Sequence, residues 1–316
     1  MLLRDFCRRN QIHHRLLAVA LVAALPLAAT AANSKSYVVP ATPEERQALA
    51  RAAEAGEPDA LYLVGALGIE GKVQGVSRAQ GLSALSRAAD AGHAEANYLL
   101  GVIYATGQGQ PRDPQAAARH LQVAANAGHA DAQAALGQAY LAGQGVPQDA
   151  AQAKHWLEQA AAQGDSEARI NLGVLLTSGG PGVADPARGV ELLRAAADQG
   201  AATAQHNLGQ IYAEGLGVPA HPQTAYGWYL LAAERGYQRA QLGLGRLLLQ
   251  GGSPLFDPAE GAAWIMLAAS GPPNPVTEAA SAVLTRLAES LPQELLTDAR
   301  ERARVTMMRI GMSSGQ

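Results

Sequence analysis

Cysteine occurs once in these 316 residues, at Cys7. One cysteine closes no disulfide within a chain and builds neither a C-x-x-C redox pair nor a cysteine zinc site. Lysine is nearly as scarce: Lys35, Lys72 and Lys154 are the whole complement, and the formal charge is −3. Nucleic-acid binding asks for a clustered basic stripe, and an anionic membrane surface asks for a polybasic segment. Neither can be assembled from this inventory, so no nucleic-acid partner is expected. The signatures of catalysis are missing as well. There is no G-x-S-x-G, no H-E-x-x-H and no glycine-rich loop ending in Lys-Ser or Lys-Thr. The chain therefore reads as a non-enzyme, with no cofactor and no metal.

The first 31 residues form a leader. Arg4, Arg8, Arg9 and Arg15 precede an apolar run from Leu16 to Ala29, and Ala29-Thr30-Ala31 offers small residues for cleavage. This order is that of a secretory signal peptide, and the run, interrupted by Pro26, falls short of the roughly 20 residues a membrane-spanning helix needs. Cleavage after Ala31 removes four arginines and Asp5, which takes the formal charge from −3 to −6. It also removes Cys7, which is not placed to carry a lipid on the mature protein. The expected location is periplasmic or secreted, with no stable membrane anchor after cleavage.

What is abundant is periodic. Gly56, Gly92, Gly128, Gly164, Gly200 and Gly236 recur every 36 residues, and so do Gly65, Gly101, Gly137, Gly173, Gly209 and Gly245. A period of this size without slippage is the signature of a solenoid, whose units bury apolar surface against their neighbours. Within residues 94–128, the spacing of Ala96, Leu100, Ile103 and Tyr104 predicts one helix (A), ended by Gly107 and Gly109. Asp113-Pro114 opens a second (B), which stops at Gly128. Asp185-Pro186 and Asp257-Pro258 repeat that opening, Asp149 keeps the cap alone, and Ser77 with Gln80 forms a capping box. A glycine inside helix A costs about 1 kcal/mol against alanine, so its recurrence predicts close helix contact. The alanine pairs at 88–89, 124–125, 160–161, 196–197, 232–233 and 268–269 are the expected partner surface.

The pattern A-x-x-x-L-G-x-x-Y, G-x-G-V, D-x-x-x-A-x-x-W and A-A-x-x-G resembles the Sel1-like repeat of the tetratricopeptide-like superfamily. Residues 130–164 carry it most fully, through Leu136-Gly137, Tyr140, Gly143-Gln144-Gly145-Val146, Asp149, Ala153, Trp156 and Ala160-Ala161; residues 202–236 are close behind. Gly68 and Leu176 replace the tyrosine, His120 and Leu192 the tryptophan, and His221 the aspartate. The resemblance covers about residues 42–271 and implies an all-α, right-handed superhelical α-solenoid of antiparallel helix pairs. The expected layout is a signal peptide (1–31), a disordered linker (32–41), an N-terminal capping helix (42–56), six repeats (57–272), C-terminal capping helices (273–310) and a disordered tail (311–316).

The side chains that could carry function fall into columns at the 36-residue period. His93 and His129 lie one repeat apart, too far for one metal; His155 and His221 stand near helix starts, and His120 takes a core position. Trp156, Trp228 and Trp264 share a B-helix column that fills the space between repeats. The resemblance places helix A on a concave wall, with positions such as 95, 98, 102, 105 and 106 on its exposed stripe. Tyr62, Tyr98, Val102, Gln138, Ile170, Val174, His206, Gln210 and Arg246 are then the candidate partner-binding residues. Their mixed chemistry suits an extended peptide or a helix of a protein partner, and the family's common adaptor role implies a scaffold in the cell envelope. Two other readings stand beside it: a polysaccharide- or peptidoglycan-associated factor, and a β-lactam-binding or hydrolysing protein. The latter branch of the family is cysteine-rich, and the mature chain has neither cysteine nor an S-x-x-K pair.

Overall fold

The structure is a computed structural model describing residues 42–313 except Gln74 and Pro181. The expected leader and linker, residues 1–41, and residues 314–316 lie outside the described residues. Everything regular in it is α-helix: α1 (Pro43–Glu54), α2 (Pro58–Ile69), α3 (Arg78–Asp90), α4 (Ala94–Thr106), α5 (Pro114–Asn126), α6 (Ala130–Ala142), α7 (Ala150–Ala162), α8 (Ser166–Ser178), α9 (Pro186–Asp198), α10 (Ala202–Glu214), α11 (Pro222–Ala233), α12 (Gln238–Leu248), α13 (Pro258–Ala269), α14 (Pro275–Ser290) and α15 (Gln293–Ser313). Within each of the two compact units the helices pack as consecutive pairs, as in a solenoid. The units meet in sequence between Leu172 and Gly173, inside α8.

The helix starts follow from the capping residues. Thr42 and Glu45 close a capping box on α1, and Ser77 and Gln80 close one on α3. Asp113, Asp149, Asp185 and Asp257 cap the later B helices through their carboxylates, each taking up N–H groups that have no partner inside the helix. His221, in place of the aspartate, does the same for α11 through Nδ1. The ends follow from glycine. All six glycines of the first column have positive φ, from +79° to +97°, the left-handed conformation that closes a helix without a Cβ penalty.

The second glycine column is a packing device. A Cβ on Gly101, Gly137 or Gly173 would lie 2.7–2.8 Å from the side chain of Leu121, Leu157 or Leu193 on the paired B helix. On Gly245 it would run into Ile265 Cγ1 and meet the Gly261 carbonyl at 2.7 Å. The partner is thus a large side chain twenty residues on, not the alanine pair: Leu85, Leu157, Leu193 and Ile265 are fully buried. The alanines pack elsewhere in the same cores, Ala88, Ala124, Ala160, Ala232 and Ala268 with no exposure at all.

One structural column has no counterpart in the sequence reading. Asn97, Gln133, Gln205 and Gln241 are buried, and each donates its amide N–H to a carbonyl eight residues earlier: Ala89, Ala125, Ala197 and Ala233, at 3.0–3.2 Å. Those are carbonyls in the last turn of a B helix, which the helix itself leaves free. Arg169 takes the same place in its repeat and donates to the Gly164 carbonyl at 3.0 Å.

At the chain's end, α14 and α15 join the apolar cluster of α12 and α13 through Ala280, Leu287, Leu291, Leu296, Ala299 and Ala303. The break falls at Pro292, as its ring requires. The last helix runs to Ser313, past the boundary expected at 310. Three arginines of this segment are engaged: Arg302 pairs with Asp257 and Asp298, Arg304 with Glu301, and Arg309 with Glu234.

Candidate partner-binding surface

Three of the nine residues expected on the accessible side of the A helices are not accessible. Tyr98, Val102 and Ile170 are core residues at 8%, 5% and 7% exposure. Ala134 and Leu242, from the same column as Tyr98, are equally buried. The cause is the next repeat. A helical side chain leans toward its own N-terminus, and there the start of the following A helix covers it. The Tyr98 ring stacks on His129 with centroids 4.5 Å apart, and Tyr62 stacks on His93 at 4.8 Å.

Those histidines are N-caps. His93 Nδ1 accepts from the Ala96 N–H at 3.2 Å and His129 Nδ1 from the Ala132 N–H at 3.3 Å, a role that requires an unprotonated Nδ1. His93 Nε2 also sits 3.2 Å from Asp59, and its Nδ1 lies 3.6 Å from Glu95. Burial lowers the His129 pKa, with Asp131 and Glu95 opposing. It raises that of Asp131, which Asp165 reinforces and His129 opposes. Burial likewise raises the Tyr98 hydroxyl, reinforced by Asp131, Asp165 and Glu167.

In the second unit His206 occupies the Tyr98 column. Its ring lies 5.6 Å from those of Tyr229 and Tyr237, its Nδ1 is buried without a hydrogen-bond partner, and burial, with Arg239 adding to it, pushes its pKa down to about 4. His120, half-buried, stacks on Tyr104 and meets Asn97 Oδ1 at 2.9 Å; its pKa is lowered by burial first and Arg119 second, against Asp90. These shifts set a pH dependence. A histidine whose folded pKa is depressed binds its proton more readily when unfolded, so stability is full above the ordinary value near 6.5 and falls as pH drops below it. The melting temperature should hold steady from pH 8 to about 7 and then fall continuously toward pH 4. Thermal melts across that range check this, and His206→Phe should flatten the lower part of the decline.

A further accessible column of the A helices stands one position beyond Tyr98. Leu63, Leu99, Ala135, Asn171, Asn207 and Gly243 are all partly accessible. Of the expected set, Tyr62, Gln138, Val174, His206 and Gln210 are half-buried and Arg246 is exposed. Gln138 donates to Glu167 at 3.5 Å and Gln210 to Glu214 at 3.1 Å. Charge differs between the units: Asp59, Glu95, Asp131 and Glu167 line this side of the first, Arg239 and Arg246 that of the second. No group of three or more metal-ligating side chains with suitable geometry occurs among the described residues, and no helix among them is long and apolar enough to cross a membrane.

Trp156 and Trp264 are buried at 9% and 3%, as the packing role requires, whereas Trp228 is only half-buried. Two of the three indoles are therefore not available to stack on a sugar.

The Sel1 repeat family model matches residues 94–129, 130–165, 166–200, 202–237 and 238–271. The first helix pair, α2 and α3, falls outside the match, although Gly65 packs on Leu85 as its counterparts do. Among known structures, the chain is similar to a Sel1 repeat protein from Oxalobacter formigenes: 28% identity, 74% of this chain and 90% of that one, TM-score 0.57. It also matches a protective antigen present in uropathogenic Escherichia coli strains that displays an SLR fold, with 23% identity, 84% and 72% coverage and TM-score 0.47. No curated protein matches.

Proposed function

On the premise that this chain belongs to the Sel1 repeat family, we propose that it is a non-enzymatic scaffold that binds a protein or peptide partner along its A helices. One observation carries this reading: the two glycine columns recur unchanged in all six repeats, while the partly accessible column beside the second changes from Leu63 and Leu99 to Ala135, Asn171, Asn207 and Gly243. Residues that hold a fold together converge on one solution, whereas residues that read a ligand differ by position. An extended peptide or a helix suits such a stripe. The leader-like order of residues 1–31 supports a periplasmic or secreted location, and the reading calls for no cofactor.

The test is a binding series on a partner captured from envelope extract with residues 32–316 as bait. Leu99→Ala, Gln138→Ala, Gln210→Ala and Arg246→Ala should leave the thermal melt nearly unchanged and weaken binding, Arg246→Ala by about 2 kcal/mol as an arginine anchor. Full affinity in the Leu99→Ala, Arg246→Ala double variant sinks the assignment.

A further inference from the structure

The helix α15 is seated on α13. Its Leu296, Ala299 and Ala303 share one apolar cluster with Ala263, Trp264 and Leu267, and Trp264 and Leu267 are left only 3% and 6% exposed. Two ion pairs hold the seat: Arg302 to Asp257, the α13 N-cap, at 3.0 Å, and Arg309 to Glu234, at the end of α11, at 2.9 Å. Next to it, a groove of about 400 Å³ runs between α11, α13 and α15.

The 36-residue period supplies a second copy of that seat on α11. Gly227, Trp228 and Leu231 stand where Ala263, Trp264 and Leu267 stand on α13, and no other B helix carries Trp-x-x-Leu at these positions. Here the seat is open. Leu231 is 47% exposed, Trp228 is half-buried, and a Cβ on Gly227 would meet nothing within 4 Å. One of the two charges is repeated: Asp198, exposed at the end of α9, holds the place where Glu234 receives Arg309, while His221 stands where Asp257 receives Arg302. Arg194, where the covered seat has Leu230, is tied to the Tyr212 hydroxyl of α10 at 2.9 Å.

We propose that the Trp228–Leu231 face of α11 is a docking site for an amphipathic helix of a partner protein. The occupant presents small apolar residues at i and i+4 and an arginine six residues later, the chemistry that Ala299, Ala303 and Arg309 bring to α13. Its apolar stripe covers Leu231 and the open side of Trp228, and its arginine meets Asp198. This site lies on a B helix and is separate from the A-helix stripe, so either can fail without the other.

The chain's own α15 supplies the probe. A fluorescein-labelled peptide of residues 293–310 is titrated into intact protein (32–316) and followed by anisotropy. Saturable binding is expected, weakened at least tenfold by Leu231→Glu and by Asp198→Arg, with a peptide carrying Arg309→Glu restoring affinity for the Asp198→Arg protein. Both substitutions are on exposed positions, and a circular-dichroism melt confirms that the fold is kept. Three results overturn the proposal. One is no saturable binding up to about 1 mM peptide, which leaves less than about 4 kcal/mol of affinity. Another is equal binding to wild type and Leu231→Glu, which places the peptide on α13 by exchange with α15. The third is a dimer, seen by light scattering, that Leu231→Glu makes monomeric, which makes a second copy the occupant.

Discussion

Gly137→Leu is expected to destabilise the protein by about 3 kcal/mol or more, at the upper end of what overpacking costs. Any side chain on α6 at this point starts 2.8 Å from Leu157 Cγ and 3.3 Å from the Ala153 carbonyl. Leu157 is fully buried, so it has no vacant space to move into, and the carbonyl belongs to the α7 backbone. A leucine therefore separates α6 from α7. Replacing a helical glycine returns about 1 kcal/mol of propensity, which is too small to offset that. Gln159→Leu, on the exposed side of α7, is the control and should stay within about 0.5 kcal/mol of wild type. Urea melts of the two variants give the comparison, and equal midpoints would mean that the glycine column serves something other than helix contact.

Tyr98→Ala should cost about 3 kcal/mol, the low end of the range for deleting a buried aromatic ring. The ring is 8% exposed and belongs to the cluster of Leu121, Ala124, Leu136 and Trp156. It also forms one side of the stack on His129 that ties α4 to the start of α6. Its removal opens a cavity and frees a histidine whose ring caps a helix. Tyr98→Phe keeps ring and stack and should retain most of the stability. Leu99→Ala, one residue along and half-buried, should lose much less. Denaturant melts decide between the two positions: if Leu99→Ala proves the more damaging, the accessible register of the A helices is the other one.

Pattern made the architecture legible. Two glycine columns, one at helix ends and one inside helices, carry different information, and each follows from glycine's missing side chain: one from its freedom at positive φ, the other from the space it vacates. Asp-Pro pairs and capping boxes announced the starts of the B helices for the same local reason, because a cap acts on N–H groups two or three residues away. The recurring amide at 97, 133, 205 and 241 was equally visible as a 36-residue column; its meaning was not, since its partner is a carbonyl eight residues back that only the closed turn brings within 3.0–3.2 Å.

The sequence by itself determined the repeat, its length, the helix pairs, their caps and the glycine contact, all of which depend on chemistry local to one repeat. Tertiary structure alone decided which face of helix A meets water. Periodicity leaves a helix's exposed stripe uncertain by one position, about 100° of rotation, and the neighbouring repeat settles it here: His129 covers Tyr98 and leaves Leu99 half-buried. Tertiary structure likewise decided the fate of two identical motifs. Trp228 and Trp264, each followed by leucine three residues on, carry the same Trp-x-x-Leu motif along the chain; α15 reaches back over one and not the other, a difference set by how the chain end folds back.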